Sequence, residues 1–221
     1  MIDKIYAYGD SFTAGDGVSN NEAWPAKLSE LLTVPEVNRG VPGGSNKLSI
    51  INLLDDFIKI KSPEKTFVVF SWTGISRTAV YFEEKERWEN ILLGHEPYDP
   101  FLKKKKEEWY AYVYDDFEGL MDYYSQQIFV SSFLTARNVP FVFVNSFLEH
   151  YLVREKFDKK YSNIVKLLPI DKYVLGYDNS IYQSYCVDKK MTCSDGYHPS
   201  AEAHRELAIE IKTFAEKLKI I

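Results

Sequence analysis

Thr66-Phe67-Val68-Val69-Phe70-Ser71-Trp72 is an unbroken run of β-branched and aromatic residues. A strand wetted on one face alternates apolar and polar residues; a strand covered on both faces does not, so this run reads as a central strand of a parallel sheet. Residues 140–145 (Pro-Phe-Val-Phe-Val-Asn) repeat the signature, and a helix expected over 121–137 crosses back between the two. Working outward, residues 4–8 read as a first short strand ending at Gly9-Asp10, and residues 35–38 as a second. A helix is expected over 22–32, where Trp24, Leu28, Leu31 and Leu32 share one face of a 3.6-residue period, with Pro25 in its first turn. Another is expected over 46–60, with Leu48, Ile51, Leu54 or Asn52, and Ile58 on its buried face. A last one is expected over 200–218, with Ser200 after Pro199 as its N-cap. Strands alternating with helices imply an α/β fold, a parallel sheet between two helical layers with right-handed crossovers. Such sheets gather ligands at the carboxyl ends of their strands.

The 221 residues show no internal repeat and no Pro/Gly/Ser-rich linker, so one domain over 1–221 is expected. Hydrophobic residues at 45% and charged residues at 27% allow a core of ordinary size. The net charge of −5, with no basic stretch beyond four lysines at 103–106, argues against nucleic acid as partner. Those lysines precede Glu107-Glu108 and read as a solvated helical face. The first residues lack a basic region followed by an apolar stretch, and no apolar run is long enough to span a bilayer. A cytoplasmic protein with no membrane contact is therefore expected, and reduced thiols at Cys186 and Cys193. His95 and His150 are isolated, His204 falls on a different helical face from His198, and no spacing suggests a zinc site; no cofactor is expected.

Three segments carry chemistry. Gly9-Asp10-Ser11-Phe12-Thr13-Ala14-Gly15 sets a serine immediately after the first strand, and a serine hydroxyl needs a base within hydrogen-bond reach to act as a nucleophile. Asp195-Gly196-Tyr197-His198-Pro199 precedes the last helix; a tight turn lets the carboxylate orient the imidazole and leaves the other ring nitrogen for a hydroxyl. Asn38-Arg39-Gly40-Val41-Pro42-Gly43-Gly44-Ser45 ends a strand in glycines whose backbone N–H groups are open to a developing oxyanion.

Together these segments resemble the SGNH hydrolase superfamily, also called the GDSL esterase family. Its pattern is Gly-Asp-Ser near the N-terminus, Asn-x-Gly-x-x-Gly in a second block, Gly-x-Asn-Asp in a third and Asp-x-x-His-Pro near the C-terminus. The resemblance implies a flavodoxin-like sheet, with Ser11 as nucleophile, His198 as general base and then acid, and Asp195 orienting it. The N–H groups of Ser11 and Gly43 would be oxyanion donors.

The third block departs from the pattern. Ser71-Trp72-Thr73-Gly74-Ile75-Ser76-Arg77 puts Trp72 at the glycine and Gly74 where the oxyanion asparagine belongs. Substitutes are the hydroxyl of Thr73 or Ser76, the N–H of Gly74, or the Arg77 guanidinium; Trp72 and Arg77 are also candidate substrate contacts, Arg77 for a carboxylate or phosphate. Residues 80–124, longer than a crossover needs and rich in aromatics and charge, read as an insertion that packs as a small subdomain or walls a sugar or acyl pocket. The expected activity is hydrolysis of a carboxylic ester on a small molecule or glycan, with a small acyl or O-acetyl group, through an acyl-enzyme on Ser11. The missing asparagine motivates an alternative, a non-catalytic carbohydrate- or ligand-binding module; an O-acyltransferase is a third.

Overall fold

The computed structural model describes residues 2–97, 99–148 and 151–221, of which 151 and 152 in backbone only; His150 lies outside them. In chain order the elements are β1 (Lys4–Gly9), α1 (Ser11–Ala14), α2 (Trp24–Leu32), β2 (Glu36–Gly40), α3 (Asn46–Lys59), β3 (Thr66–Trp72), β4 (Thr78–Phe82) and β5 (Arg87–Ile91). There follow α4 (Pro100–Tyr112), α5 (Asp116–Thr135), β6 (Phe141–Asn145), α6 (Tyr151–Lys160), α7 (Ser162–Val165) and α8 (Ala201–Lys217).

Four strands pair in parallel in the order β2-β1-β3-β6. Every residue of β3 is buried, as its unbroken apolar run requires. Its side chains divide by parity between two cores. Phe67 and Val69 join Ile5, Ala7, Val142 and Val144 under α2 and α8. Val68, Phe70 and Trp72 join Tyr8, Phe143, Leu120 and Tyr123 under α3 and α5. The sheet is thus sandwiched between two helical layers, the α/β/α arrangement expected.

Local chemistry sets the helix starts nearest the sheet's carboxyl edge. Ser45 caps α3 by accepting from the Leu48 N–H, and Ser200 caps α8 by accepting from the Ala203 N–H. Two faces differ from the periodicity reading. Ile58 is 83% exposed while Phe57 is buried, and Leu31 is exposed at the end of α2. In α3 the cause is Asp56: its carboxylate accepts from the Tyr8 hydroxyl and takes a two-pronged ion pair from Arg39, which turns Asp56 and Phe57 inward and Ile58 out.

Residues 80–124 hold most of the antiparallel β4–β5 hairpin, α4 and the start of α5. Lys103, Lys104, Lys105 and Lys106 form surface ion pairs with Glu96 or Glu108, the solvated face expected of them. Among the described residues no helix is long and apolar enough to cross a membrane.

Candidate active site

β1 delivers Gly9, Asp10 and Ser11 to the carboxyl edge of the sheet. Asp10 is fully buried and caps α1, accepting at Oδ1 from the Phe12 N–H (3.1 Å) and from the Ser146 hydroxyl (2.9 Å). Its Oδ2 accepts from the Thr73 hydroxyl (2.7 Å) and faces Arg77 Nη1 at 3.4 Å. Because Ser146 gives its one proton to Asp10, it must accept from Ser71, 2.8 Å away. Asp10 therefore ties β1, β3 and β6 together beneath Ser11. Ser11 is the first residue of α1, so its N–H precedes the helical ladder, and it has no partner among the described residues.

The second block is latched onto the first. The Asn38 side chain donates to Thr13 O (2.9 Å) and accepts from the Gly40 N–H (2.9 Å). Gly40 allows this: a Cβ there would stand 2.2 Å from Ala14 N. Gly43 has φ of 65°, the left-handed region where glycine carries no steric penalty, and its N–H has no partner among the described residues. Leu92, just past β5, closes over it, and Asn90 of β5 accepts from both the N–H and the hydroxyl of Ser45. The hairpin therefore roofs the second block.

The last block is wired by its own turn. Asp195 Oδ1 accepts from the N–H groups of Tyr197 (2.8 Å) and His198 (3.0 Å), while Oδ2 lies 2.6 Å from His198 Nδ1. Donation from the Tyr197 N–H, then from the His198 ring and N–H, pulls the Asp195 carboxyl down to about 2. An ionised carboxylate only accepts, so the proton sits on Nδ1 and the Nε2 lone pair is left for another donor. The loop packs onto the Ser11 segment through rings: Phe12 lies 5.6 Å from His198 and 5.8 Å from Tyr197. Phe147, just beyond β6, stands 4.7 Å from Phe12 and stacks on Tyr197 at 5.8 Å. The Cys193 thiol lies between Pro199 O (3.0 Å) and Gly17 O (3.3 Å), a second tether. Both cysteines are free, and burial pushes the Cys186 thiol up to about 11 and raises Cys193, which leaves both as thiols rather than nucleophiles.

Two expected contacts do not hold. Trp72 is fully buried against Phe70, Tyr123 and Phe143, with ring separations of 4.3, 5.8 and 5.3 Å, because the parity of β3 turns it into the core; it cannot touch substrate. Thr73 cannot supply the missing oxyanion donor, since its hydroxyl donates to Asp10 and its N–H donates to Asn46 Oδ1 (2.8 Å). Arg77 does reach this corner, its side chain only 10% exposed. Beside it lies a cleft of about 310 Å³ lined by Asn46, Trp109, Tyr114, Glu118 and Asp122 among others; Ser11 and His198 are not in its lining.

A family model described as "Family of unknown function (DUF6071)" matches residues 14–211. The chain belongs to DUF6071. The matched span begins just after Ser11 and takes in Asp195 and His198. Comparison with curated proteins gives no match for this DUF6071 chain. Solved structures do match. TesA is 14% identical, with 97% of this chain and 99% of that chain covered and a TM-score of 0.58. The psychrotrophic esterase EstA from Pseudoalteromonas sp. is 12% identical, with 98% of each chain covered and a TM-score of 0.56. A member of the lipolytic protein G-D-S-L family from Veillonella parvula DSM 2008 is 12% identical, with 95% and 96% covered and a TM-score of 0.55. The DUF6071 chain has the SGNH-hydrolase fold.

Several site groups of this DUF6071 member went unread in the sequence. Ser146 and Phe147 lie on no motif, and only the sheet order brings β6 beside β3. Asp16, whose carboxyl is raised chiefly by burial, lies within electrostatic reach of His198. Asn90 belongs to an insertion whose contacts no local pattern encodes.

Proposed function

We propose that the chain is a serine esterase that cleaves a carboxylic ester through an acyl-enzyme on Ser11. The observation that carries this reading is the Asp195–His198 pair, 2.6 Å apart and packed by rings against the helix turn that begins with Ser11. In the proposed reaction the Ser11 hydroxyl attacks the ester carbonyl carbon as His198 Nε2 takes its proton, and the carbonyl oxygen becomes an oxyanion under the N–H groups of Ser11 and Gly43. His198 then returns the proton to the leaving alcohol oxygen, the C–O bond breaks and an acyl-serine remains. Water repeats the sequence from the other side, losing a proton to His198 and releasing the carboxylic acid, and Ser11 recovers its proton. Asp195 stays ionised and stabilises the imidazolium.

The likeness in fold to the esterase EstA, described in a form inhibited by monoethylphosphonate, supports the choice of probe. A fluorophosphonate should label the wild-type protein and not Ser11→Ala. Hydrolysis of p-nitrophenyl acetate should fall about 10⁵-fold or more in that variant with the melting temperature unchanged. A wild type that is neither labelled nor active on a panel of acetyl and longer esters would overturn the reading. It would favour the second one, a ligand-binding module, which the glycine at position 74 and the occupied donors of Thr73 support.

The aromatic and polar lining of the cleft beside Arg77 supports a polar, ring-bearing alcohol such as a sugar as the leaving group; acetyl on such an alcohol is the first acyl group to assay. Product analysis with an added acceptor alcohol distinguishes hydrolysis from acyl transfer.

A further inference from the structure

We infer that the Arg77 guanidinium is the third oxyanion donor of this site, standing where the fold's usual third-block amide is missing. The inference rests on the proposed role of Ser11.

Arg77 lies between β3 and β4, three residues beyond the glycine that replaces the asparagine. Its Nη1 is 3.4 Å from Asp10 Oδ2 and 3.5 Å from Gly44 O. Asp10 immediately precedes Ser11, and Gly44 immediately follows Gly43. The guanidinium thus bridges the two loops that carry the proposed oxyanion donors. On a further side its central carbon lies 5.1 Å from the centre of the Phe147 ring, which stacks on Tyr197 beside His198. First and second blocks contact one half-buried cation directly, and the histidine loop is one ring away through Phe147.

Both contacts of Nη1 sit at the limit of hydrogen-bond length, so they position the group without saturating it. Asp10 does not require more from Arg77, because Phe12 N–H, Thr73 Oγ1 and Ser146 Oγ already donate to it. A guanidinium has five N–H donors in a fixed plane, and the rest have no partner among the described residues. A cation fixed in place before reaction stabilises a developing O⁻ more than a mobile one, since it need not reorient as the charge appears.

The competing role, capture of an anionic group on the substrate, fits the surroundings less well. Apart from Arg77 itself, the charged side chains lining the cleft on its outer side are Lys47 against Glu118 and Asp122, a balance that does not favour an anion there.

The test uses the full chain and two esters, neutral p-nitrophenyl acetate and the anionic mono-p-nitrophenyl succinate. In Arg77→Gln, kcat on the neutral ester should fall about 10²-fold with KM nearly unchanged, and affinity for a boronic acid that forms a tetrahedral anion on Ser11 should fall in parallel. Arg77→Lys, which keeps a cation beside Asp10, should fall less. Undiminished kcat on the neutral ester in either folded variant overturns the inference. A KM rise confined to the succinate ester also overturns it and assigns Arg77 to substrate binding. Should neither variant fold, the wild-type phosphonate adduct decides: an Arg77 nitrogen within about 3.2 Å of the phosphoryl oxygen supports the inference, and one beyond hydrogen-bond reach ends it. Failure of the wild type to label or turn over any ester is a different result, which removes the serine-esterase reading and this one with it.

Discussion

The loop from Asp195 to His198 packs on Phe12 and the segment from Trp72 to Arg77 holds Asp10, the two neighbours of Ser11, yet they are built in opposite ways. In the first, backbone and side-chain contacts run between residues two or three apart, and the turn assembles its own acid–imidazole pair. In the second, Thr73 and Arg77 make long-range polar contacts: Thr73 serves Asp10 and Asn46, and Arg77 reaches Asp10 and Gly44. A short-range device survives as a motif because its function needs only its own residues. A long-range one can change composition, since a neighbour brought in by the fold can take over the lost role.

That contrast breaks most decisively at Asp195. Asp195→Asn should cut kcat by about 10³–10⁴-fold with little change in stability, because an amide no longer holds the Nδ1–H tautomer. Steady-state kinetics beside a melting curve check this; an equal loss of both would make the loop a structural element like the third block. Trp72→Ala should behave inversely, losing about 3–5 kcal/mol in chemical denaturation from the emptied core. A rise in KM without that loss would return Trp72 to the substrate.

Two histidines six residues apart sharpen the same comparison. His198 is partly exposed and paired with Asp195, whereas His204 is buried in α8, accepts from the Trp24 N–H, and is pulled by burial from 6.5 down to about 4. Below pH 6.5 the unfolded chain takes up a proton that folded His204 refuses. Stability should therefore fall as pH drops from about 6.5 to about 4 and then level off with respect to this group, a loss on the order of 3 kcal/mol. His204→Asn, which keeps an acceptor for Trp24, should flatten that part of the profile measured by urea denaturation.

The smallest expected effect is at Thr73. Thr73→Val removes one donor to buried Asp10 and should cost about 1–3 kcal/mol of stability. It should leave transition-state stabilisation on a neutral ester within a few-fold; a 10²-fold fall in kcat would restore Thr73 to the oxyanion set.

The sandwich could be read from β3 and β6, whose unbroken apolar runs admit no half-exposed strand, and from the Ser200 cap of α8. The proposed triad residues were legible because the turn chemistry that holds each is local: Asp10 capping α1 before Ser11, and the Asp195 turn before α8. Ile58 and Leu31 lie off the buried faces that periodicity predicts, because periodicity gives the apolar stripe of a helix but not its rotation, and in α3 a polar anchor from Arg39 and Tyr8 sets that rotation.

By itself, then, the order of residues determined the layered sheet and the two loops that carry Ser11 and His198, since period, caps and tight turns act over a few residues. Only the tertiary structure decided that Trp72 is core, that Thr73 supports Asp10, and that Arg77 and Phe147 stand against Asp10 and Phe12 on either side of Ser11 in the chain. The reason is reach: those contacts join residues tens of positions apart, and nothing in either segment alone encodes which partner the strand order will bring.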